Sequence, residues 1–253
     1  MLVDTHCHLF REYYDDVEEV LDKAKKNGVG LVIVNGTKRE DNEEVLELVK
    51  RFDMVYGAIG IQPEEINEHW EECLEFIEQH INDNKIIAVG EIGLDYHYEC
   101  DRELQKIVFR KQLEIAQKYN KPVIIHSRDC IQETYDILKE YHVKGIMHCY
   151  SGSVEMARQF VKLGFYLGIG GVCTFKNASK IIDVIKNISL EYIVLETDSP
   201  YLTPEPYRGK LNEPANIGII MQKICDLKSL DYQGTCDVIL ANVLRLFDKQ
   251  LKI

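Results

Sequence analysis

The sequence predicts an α/β protein built as one (β/α)8 TIM-type barrel, with allowance for distortion, over residues 1–253. Short apolar, β-branched runs recur eight times, and stretches with helical periodicity separate them. Continuous apolar runs of this length are typical of strands buried on both faces, as in a parallel sheet. No Pro/Gly/Ser-rich linker divides the chain, and its 253 residues suit a single barrel.

The predicted strands and helices alternate along the whole chain. In chain order, the eight predicted strands are 2–6, 30–36, 54–61, 86–93, 122–127, 145–151, 164–171 and 192–199. Residues 15–28 show apolar positions at helical spacing and end at Gly28, a residue that favours helix termination. Residues 102–122 show the same spacing, with Pro122 beyond the last turn. This alternation favours a closed barrel over an open doubly wound sheet.

The composition is that of an ordinary soluble protein, with 45% hydrophobic and 28% charged residues. A formal net charge of −12 argues against a broad basic surface for binding a nucleic-acid duplex. It leaves room for a small positive site, because charges more than about 8 Å apart are largely screened at physiological salt. No apolar run reaches the ~18 residues of a membrane span. The eight cysteines form no C-x-x-C motif, so we expect reduced thiols and a cytoplasmic location.

Side chains suited to metal binding follow the predicted strands where each one ends. They are His6, His8, Glu91, His126, His148 and Asp198. In a (β/α)8 barrel the carboxyl ends of all strands meet at one face, where active sites are built. One such histidine is more often a satisfied polar residue than a ligand. Four histidines, one glutamate and one aspartate on one predicted face favour a metal site.

The spacing of these residues is compatible with two ions. Side chains two apart on a strand point the same way, so His6 and His8 can reach one ion. A glutamate has two oxygens and can bridge ions about 3.5–4 Å apart. One His/His/Asp set and one His/His set that share Glu91 would therefore fit a two-metal site. Cys7 and Cys149 flank ligand candidates, and we expect both to face away and pack as small apolar residues.

The same segments carry a family resemblance. The matching pieces are VDTHCH (3–8), VGEIGLDYHY (89–98), KPVIIHSRD (121–129), MHCYSG (147–152), GFYLGIGG (164–171), ETDSPYLTP (196–204) and RGKLNEPAN (208–216). With these segments in this order, the chain resembles the TatD-type metal-dependent hydrolases of the amidohydrolase superfamily. The resemblance implies a barrel with divalent ions bound by the six residues above, with Glu91 as the bridge. It also implies hydrolysis of phosphodiester bonds in DNA, often at single-stranded ends.

One position departs from the family pattern. The family often shows Gly-x-His-Pro after the third strand, whereas this chain has Gln62 in place of the histidine. Glutamine can hydrogen-bond to a substrate, but it cannot exchange a proton near pH 7. Gln62 therefore leaves the preferred substrate open.

The mechanism predicted for this site is hydrolysis by a metal-activated water. Asp198, together with the bridging Glu91, is the predicted catalytic carboxylate, and Asp198 would orient the water and accept its proton. Arg128, Arg208 and Lys210 are predicted phosphate contacts, and each could equally be a solvated surface charge. The histidine-rich ligand set suits Zn or Mn, and phosphodiester chemistry is also compatible with Mg.

Two other functions stay open from the sequence. The same metal site could cleave an ester or amide instead, including an aminoacyl ester on tRNA, and the acidic charge and Gln62 favour this alternative. A barrel that serves only as a scaffold is the third possibility, but a scaffold does not need six ligand-type residues. No obligate protein partner is evident.

Overall fold

The computed structural model describes residues 1–251, which form eight parallel strands paired in the order β1 to β8. The strands are β1 (Leu2–Cys7), β2 (Val29–Asn35), β3 (Val55–Ile59), β4 (Ile86–Asp95), β5 (Val123–Arg128), β6 (Gly145–Met147), β7 (Phe165–Ile169) and β8 (Ile193–Leu195). Each strand overlaps one predicted run. The prediction of an eight-stranded α/β barrel is confirmed.

Nine α-helices lie among these strands in the described part of the chain. They are α1 (Val17–Lys26), α2 (Arg39–Arg51), α3 (Trp70–His80), α4 (Arg102–Lys118), α5 (Ile131–Leu138), α6 (Val154–Lys162), α7 (Ser179–Asn187), α8 (Ile217–Lys228) and α9 (Tyr232–Phe247). Local sequence explains several helix starts. The side chain of Asp16 accepts the Glu18 and Glu19 amides at the start of α1, and Asp101 accepts the Leu104 amide at the start of α4. Such caps satisfy amides that have no partner within the helix.

At three strands the observed end changes where a ligand candidate lies relative to its strand. β6 and β8 stop early, so His148 lies one residue beyond its strand and Asp198 lies three residues beyond. β4 runs on to Asp95, so Glu91 lies within the strand and does not end it. The register between β4 and β5 shifts between Val89 and Ile92, which places Glu91 in the irregular segment. A shift of this kind redirects a side chain without ending the strand.

The barrel closes at a seam between β8 and β1, near the carboxyl ends of the strands. The His8 amide donates to the Ser199 carbonyl at 2.7 Å, and the Asp198 amide donates to the His6 carbonyl at 2.9 Å. The buried Asp4 carboxylate also crosses the seam and accepts the Thr197 amide at 2.9 Å and the Thr197 hydroxyl at 2.5 Å. Closure of the barrel therefore joins the two chain segments that carry His6, His8 and Asp198.

Two apolar clusters occupy the two sides of the strands. The larger cluster lies between the strands and the surrounding helices, and it includes Cys7, Phe109 and Phe160. The smaller one joins alternate strand residues, such as Ile33 and Ile124, to the end of α9. A strand sends successive side chains to opposite faces, so apolar residues fill both layers. The prediction that Cys7 packs as an apolar residue is confirmed.

All eight cysteines are free thiols in the described chain. Among residues 1–251, no helix combines the length and the apolar character that crossing a membrane requires.

Candidate metal centre

The six predicted ligand candidates converge at the carboxyl ends of the strands. Their elements are far apart in sequence, and the barrel brings them to one face. Within the described chain, His6 lies with Glu91 and His148 in one group of nearby ligand atoms, and with His8 and Asp198 in another. The ligand atoms within each group lie within 4.8 Å of one another. His126 joins the cluster through Glu91.

The two carboxylate oxygens of Glu91 face different histidines. Oε2 lies 3.3 Å from His6 Nε2 and 3.6 Å from His8 Nε2. Oε1 lies 2.7 Å from His126 Nδ1 and 3.8 Å from His148 Nε2. Glu91 thus lies between the His6/His8 pair and the His126/His148 pair, the arrangement that a shared ligand requires.

Asp198, on the segment after β8, also lies close to the His6/His8 pair. Its Oδ1 is 3.7 Å from His6 Nε2 and 3.6 Å from His8 Nε2. The same oxygen is 3.7 Å from His148 Nε2. Asp198 adopts a left-handed backbone conformation with φ of 53°. Aspartate tolerates this region better than most residues, and such backbones are frequent at functional sites.

Three histidines of the cluster have a polar partner for their second ring nitrogen. His8 Nδ1 lies 2.9 Å from the Asn35 carbonyl, and His126 Nε2 lies 2.7 Å from Asp95 Oδ2. His148 Nδ1 lies 3.2 Å from Glu196 Oε1. An acceptor on one nitrogen keeps a proton there and turns the lone pair of the other nitrogen toward the cluster. The hydrogen-bond partners therefore orient the rings of His8 and His126, whereas His148 Nδ1 makes no hydrogen bond among the described residues.

Asp95 and Glu196 were not among the predicted site residues. Asp95 lies four residues after Glu91 in the GEIGLDY segment, and Glu196 lies two residues before Asp198. Their position next to predicted ligands was the available signal. Both contact an imidazole from another strand, which becomes visible only when the barrel is assembled. A methyl group at Gly168 would lie 2.1 Å from Glu196 Oε2, so glycine is required where β7 passes this carboxylate.

The charges in the cluster stabilise one another. Burial would raise the pKa of Glu91, but His6, His148 and His126 outweigh it and hold that pKa well below its ordinary value. The pKa of Asp198 is lowered in the same way, because His148, His8 and His6 outweigh burial. Burial opposes protonation of His126, yet Asp95 and Glu91 raise its pKa to about 9. The two carboxylates are ionised, and the cluster favours positive charge.

The residues in the cluster fit a divalent cation. His6 Nε2 and His8 Nε2 face each other at 3.1 Å, and two carboxylate oxygens lie within 4 Å of both. Imidazole nitrogens and carboxylate oxygens are the usual ligands of Zn and Mn. The buried Nδ1 of His6 has no hydrogen-bond partner among the described residues. Nitrogen lone pairs that converge in this way are compensated by a bound cation or by protons.

A cavity of about 700 Å³ opens over the cluster. Gln62 and Arg128, two of the predicted substrate contacts, line it together with His126 and Asp198. Gln62 Oε1 accepts the Glu64 amide at 2.8 Å, which fixes its side chain three residues after β3. The Arg128 guanidinium lies 5.5 Å from the Tyr98 ring. Both residues are therefore placed where a substrate could contact them.

The other two predicted contacts lie elsewhere. Arg208 and Lys210 are exposed on the segment that follows β8, and neither belongs to the described residues that line the cavity. Arg208 stacks on Phe175 at 4.0 Å, and Lys210 lies 5.6 Å from the Tyr207 ring. The structure does not bring them to the cluster, and their contact with substrate stays a prediction.

The prediction for Cys149 is wrong. Cys149 lines the cavity and does not face away from it. Strand alternation does not apply to this residue, because β6 ends at Met147 and Cys149 has a φ of 42°. Burial and the nearby Asp198 and Glu196 carboxylates raise the pKa of the thiol well above its ordinary value. The thiol is therefore protonated and a poor metal ligand.

The rim of the cavity is acidic on the side of β2 and β3. Asp41, Glu64 and Glu65 line this side. Glu65 lies 4.0 Å from Lys38, and the Thr37 hydroxyl donates to Asp41. Among the described residues that line the cavity, Arg128 is the one arginine or lysine.

Comparison with known proteins identifies metal-dependent hydrolases as similar to this chain. The family profile described as TatD related DNase matches residues 3–248. The uncharacterized metal-dependent hydrolase YabD of Bacillus subtilis (strain 168) is 42% identical over 252 residues, which cover 98% of this chain and 99% of that protein. The crystal structure of the TatD homologue YJJV from Escherichia coli K12 superposes with a TM-score of 0.92 at 34% identity, covering 98% of both chains.

Proposed function

The chain belongs to the TatD-related DNase family of metal-dependent hydrolases, and from this premise we propose that it hydrolyses phosphodiester bonds at single-stranded DNA ends. The observation that carries the proposal is the position of Glu91 between two histidine pairs. Hydrolases that act on phosphate esters often use two ions about 3.5–4 Å apart. Each carboxylate oxygen of Glu91 faces a different set of ligand histidines, which suits a pair of ions.

The residues divide into two ligand sets. His6, His8 and Asp198 would hold one divalent ion, His126 and His148 would hold a second, and Glu91 would contact both. When bound, such ions lower the pKa of a water molecule and polarise the phosphoryl oxygen. Zn, Mn and Mg are the candidates, since imidazole ligands suit the first two and phosphate chemistry also suits Mg.

The side chains of this protein would carry the remaining steps. The ionised Asp198 carboxylate lines the cavity and would accept the proton of the attacking water. The water oxygen then bonds to phosphorus while the bond from phosphorus to the leaving nucleotide's ester oxygen breaks, and that oxygen takes up a proton from solvent. Arg128 would donate hydrogen bonds to the phosphate oxygens. Gln62 would orient the substrate by hydrogen bonding, without proton transfer.

The test is turnover of a labelled single-stranded oligonucleotide by the purified protein, with its metal content measured. Chelation should abolish turnover, and adding back Zn, Mn or Mg one at a time should identify the active ion. His126→Ala should abolish metal-dependent turnover. His142→Ala is the matched control, because His142 is exposed and precedes β6, at the other end of the strands. Full activity of His126→Ala would contradict the assignment.

A second substrate class is favoured by the acidic rim. Asp41, Glu64 and Glu65 repel a polyanion and would suit a substrate that carries an ammonium group, such as an aminoacyl ester on tRNA. The same water attack would then occur at a carbonyl carbon. A panel of carboxylic esters, lactones and amides, assayed beside the oligonucleotide, separates this class from DNA.

We place the activity in the cytoplasm. Support comes from the eight unpaired thiols, which suit a reducing compartment. Fractionation of cells followed by immunodetection tests this location.

A further inference from the structure

A row of aromatic rings leads from the metal cluster to the rim of the cavity. The His8 ring lies 6.0 Å from Phe10, Phe10 lies 6.5 Å from Tyr13, and Tyr13 lies 5.8 Å from Tyr201. The Tyr201 ring is also 6.2 Å from His8, at an interplanar angle of 64°. All four side chains line the cavity. The row forms one wall of the cavity, beginning at a ligand candidate.

Tyr201 is held firmly although its ring is exposed. Its amide donates to the Asp198 carbonyl at 2.8 Å, and its carbonyl accepts the Asn212 side chain at 2.7 Å. Its hydroxyl donates to the Tyr13 hydroxyl at 2.8 Å. The side chain is nevertheless 49% exposed. A large aromatic ring that is fixed and half exposed beside a catalytic cluster is a preorganised surface for a flat apolar group.

The ring itself is what Tyr201 offers to a ligand. Its hydroxyl proton is already used on Tyr13, and the contacts with Tyr13 and His8 are T-shaped. Arg128 also lines the cavity; its guanidinium lies 5.5 Å from the Tyr98 ring and makes no ion pair among the described residues. The cavity thus presents an aromatic ring beside His8 and a guanidinium on β5, two residues after His126. A nucleotide has matching parts, since it joins a flat base to a phosphate.

We propose that Tyr201 determines specificity by stacking on the base of the nucleotide next to the scissile phosphate, with Tyr13 supporting its ring. This rests on the proposed function, because it supposes a nucleic-acid substrate. An unpaired base can leave its neighbours and stack on an aromatic side chain, whereas a paired base in a duplex cannot. The stacking platform therefore selects single strands without reading their sequence.

The experiment compares two substrates and four proteins. The substrates are a short oligodeoxyadenylate and an abasic strand of the same length, which has the same phosphates and no bases. The proteins are the metal-loaded wild type, Tyr201→Leu, Tyr201→Phe and Tyr192→Leu. Tyr192 is the matched control because it is 37% exposed and immediately precedes β8, at the opposite end of that strand from Tyr201.

Loss of stacking should appear only when a base is present. We expect Tyr201→Leu to lower kcat/KM on the oligodeoxyadenylate by about 5- to 100-fold, the range that one stacked base supplies. On the abasic strand its kcat/KM should match that of the wild type. Tyr201→Phe keeps the ring and should retain most activity on both substrates, as should Tyr192→Leu.

A spectroscopic readout tests stacking apart from turnover. Stacking quenches the fluorescence of 2-aminopurine, so a phosphorothioate strand that contains this base should be quenched by the wild type. Tyr201→Leu should quench it less at saturating protein concentration. Equal quenching by both proteins would contradict the proposal.

The kinetic outcomes separate the two proposals. If the wild type cleaves the oligodeoxyadenylate and Tyr201→Leu loses the same factor on both strands, the stacking role is overturned and the proposed function stands. Full activity of Tyr201→Leu on the oligodeoxyadenylate would also overturn the stacking role and leave the proposed function standing. If the metal-loaded wild type cleaves neither strand, the proposed function fails and the stacking role fails with it.

Discussion

The Asp95 carboxylate lies 2.7 Å from His126 Nε2, while Nδ1 of the same ring lies 2.7 Å from Glu91. Asp95 is on β4 and His126 on β5, and Gly93 between Glu91 and Asp95 makes the close approach of the two strands possible. A methyl group at Gly93 would lie 2.0 Å from the His126 carbonyl oxygen, and its φ of 149° disfavours other residues. Asp95 thus keeps the ring proton on Nε2 and points Nδ1 at the cluster.

Asp95→Asn should weaken metal binding. A carboxylate that orients a ligand histidine typically contributes about 10- to 100-fold in metal affinity. We expect a loss in that range, measured by titration against a competing chelator, with activity partly recovered at high metal concentration. Asp83→Asn is the matched control, because Asp83 makes a similar 2.8 Å contact with His80 away from the cluster. Unchanged metal affinity in Asp95→Asn would mean that Asp95 does not orient the ring.

Thr197→Val should destabilise the barrel at its seam. Val keeps the shape of Thr197 but removes a buried hydroxyl that donates to Asp4 and accepts the Ser199 amide at 3.2 Å. A buried polar group left without its partner costs about 1–3 kcal/mol. We expect a decrease of that size in the free energy of unfolding, measured in urea. Thr197→Ser keeps the hydroxyl, so it should lose less, and an equal loss in both variants would refute the role of the hydroxyl.

Glu65→Gln should favour polyanionic substrates. Removing one carboxylate from the acidic rim also frees Lys38, which lies 4.0 Å from it. At about 10 Å in water one charge changes the free energy by only a few tenths of a kcal/mol, so we expect about a twofold rise in kcat/KM on an oligonucleotide. The rise should vanish at high salt, where such charges are screened. Glu75→Gln on the exposed side of α3 is the control, and a rise that persists in high salt would exclude an electrostatic cause.

Gln62→His should raise turnover of DNA if the side chain lies near the leaving group. An imidazole can donate a proton, which the amide of Gln62 cannot. Positioned acids contribute about 10²–10⁴-fold, and we expect a rise in kcat of roughly tenfold for a histidine introduced without further adjustment. The gain should be larger at pH 6 than at pH 8, because only the protonated imidazole donates and the ordinary histidine pKa lies between these two values. Gln62→Asn is the control, and a gain without pH dependence would rule out proton donation.

The local pattern of the sequence was sufficient for the fold and for the cluster. Eight buried strands were recognisable because each leaves a short apolar run, and His6, His8, Glu91, His126, His148 and Asp198 stand in or just after those runs. The strand ends were predicted less accurately, as the bulge at Glu91 and the early ends of β6 and β8 show. Hydrophobic periodicity reports burial, and it does not report where a ladder of hydrogen bonds stops.

The substrate contacts could not be assigned in the same way. Arg128, Arg208 and Lys210 looked equivalent as cations after strands, but only Arg128 lines the cavity. The difference depends on how the segment after β8 folds over the rim, where Arg208 stacks on Phe175. That packing involves residues far apart in sequence and leaves no periodic signal.

The sequence by itself determined the eight-stranded barrel and indicated the six side chains of the candidate metal centre, because apolar runs and the polar residues in or just after them are local features that a barrel converts into one shared face. Only the tertiary structure decided which groups orient those side chains. Asp95, Glu196 and Asp4 act across strands, and Tyr201 contacts Tyr13, which lies 188 positions earlier in the chain. The contacts of Asp4 and Tyr201 exist only when the seam between β8 and β1 has closed, and those of Asp95 and Glu196 only when the strands of the barrel have assembled, since assembly sets the distances between segments that the sequence keeps apart.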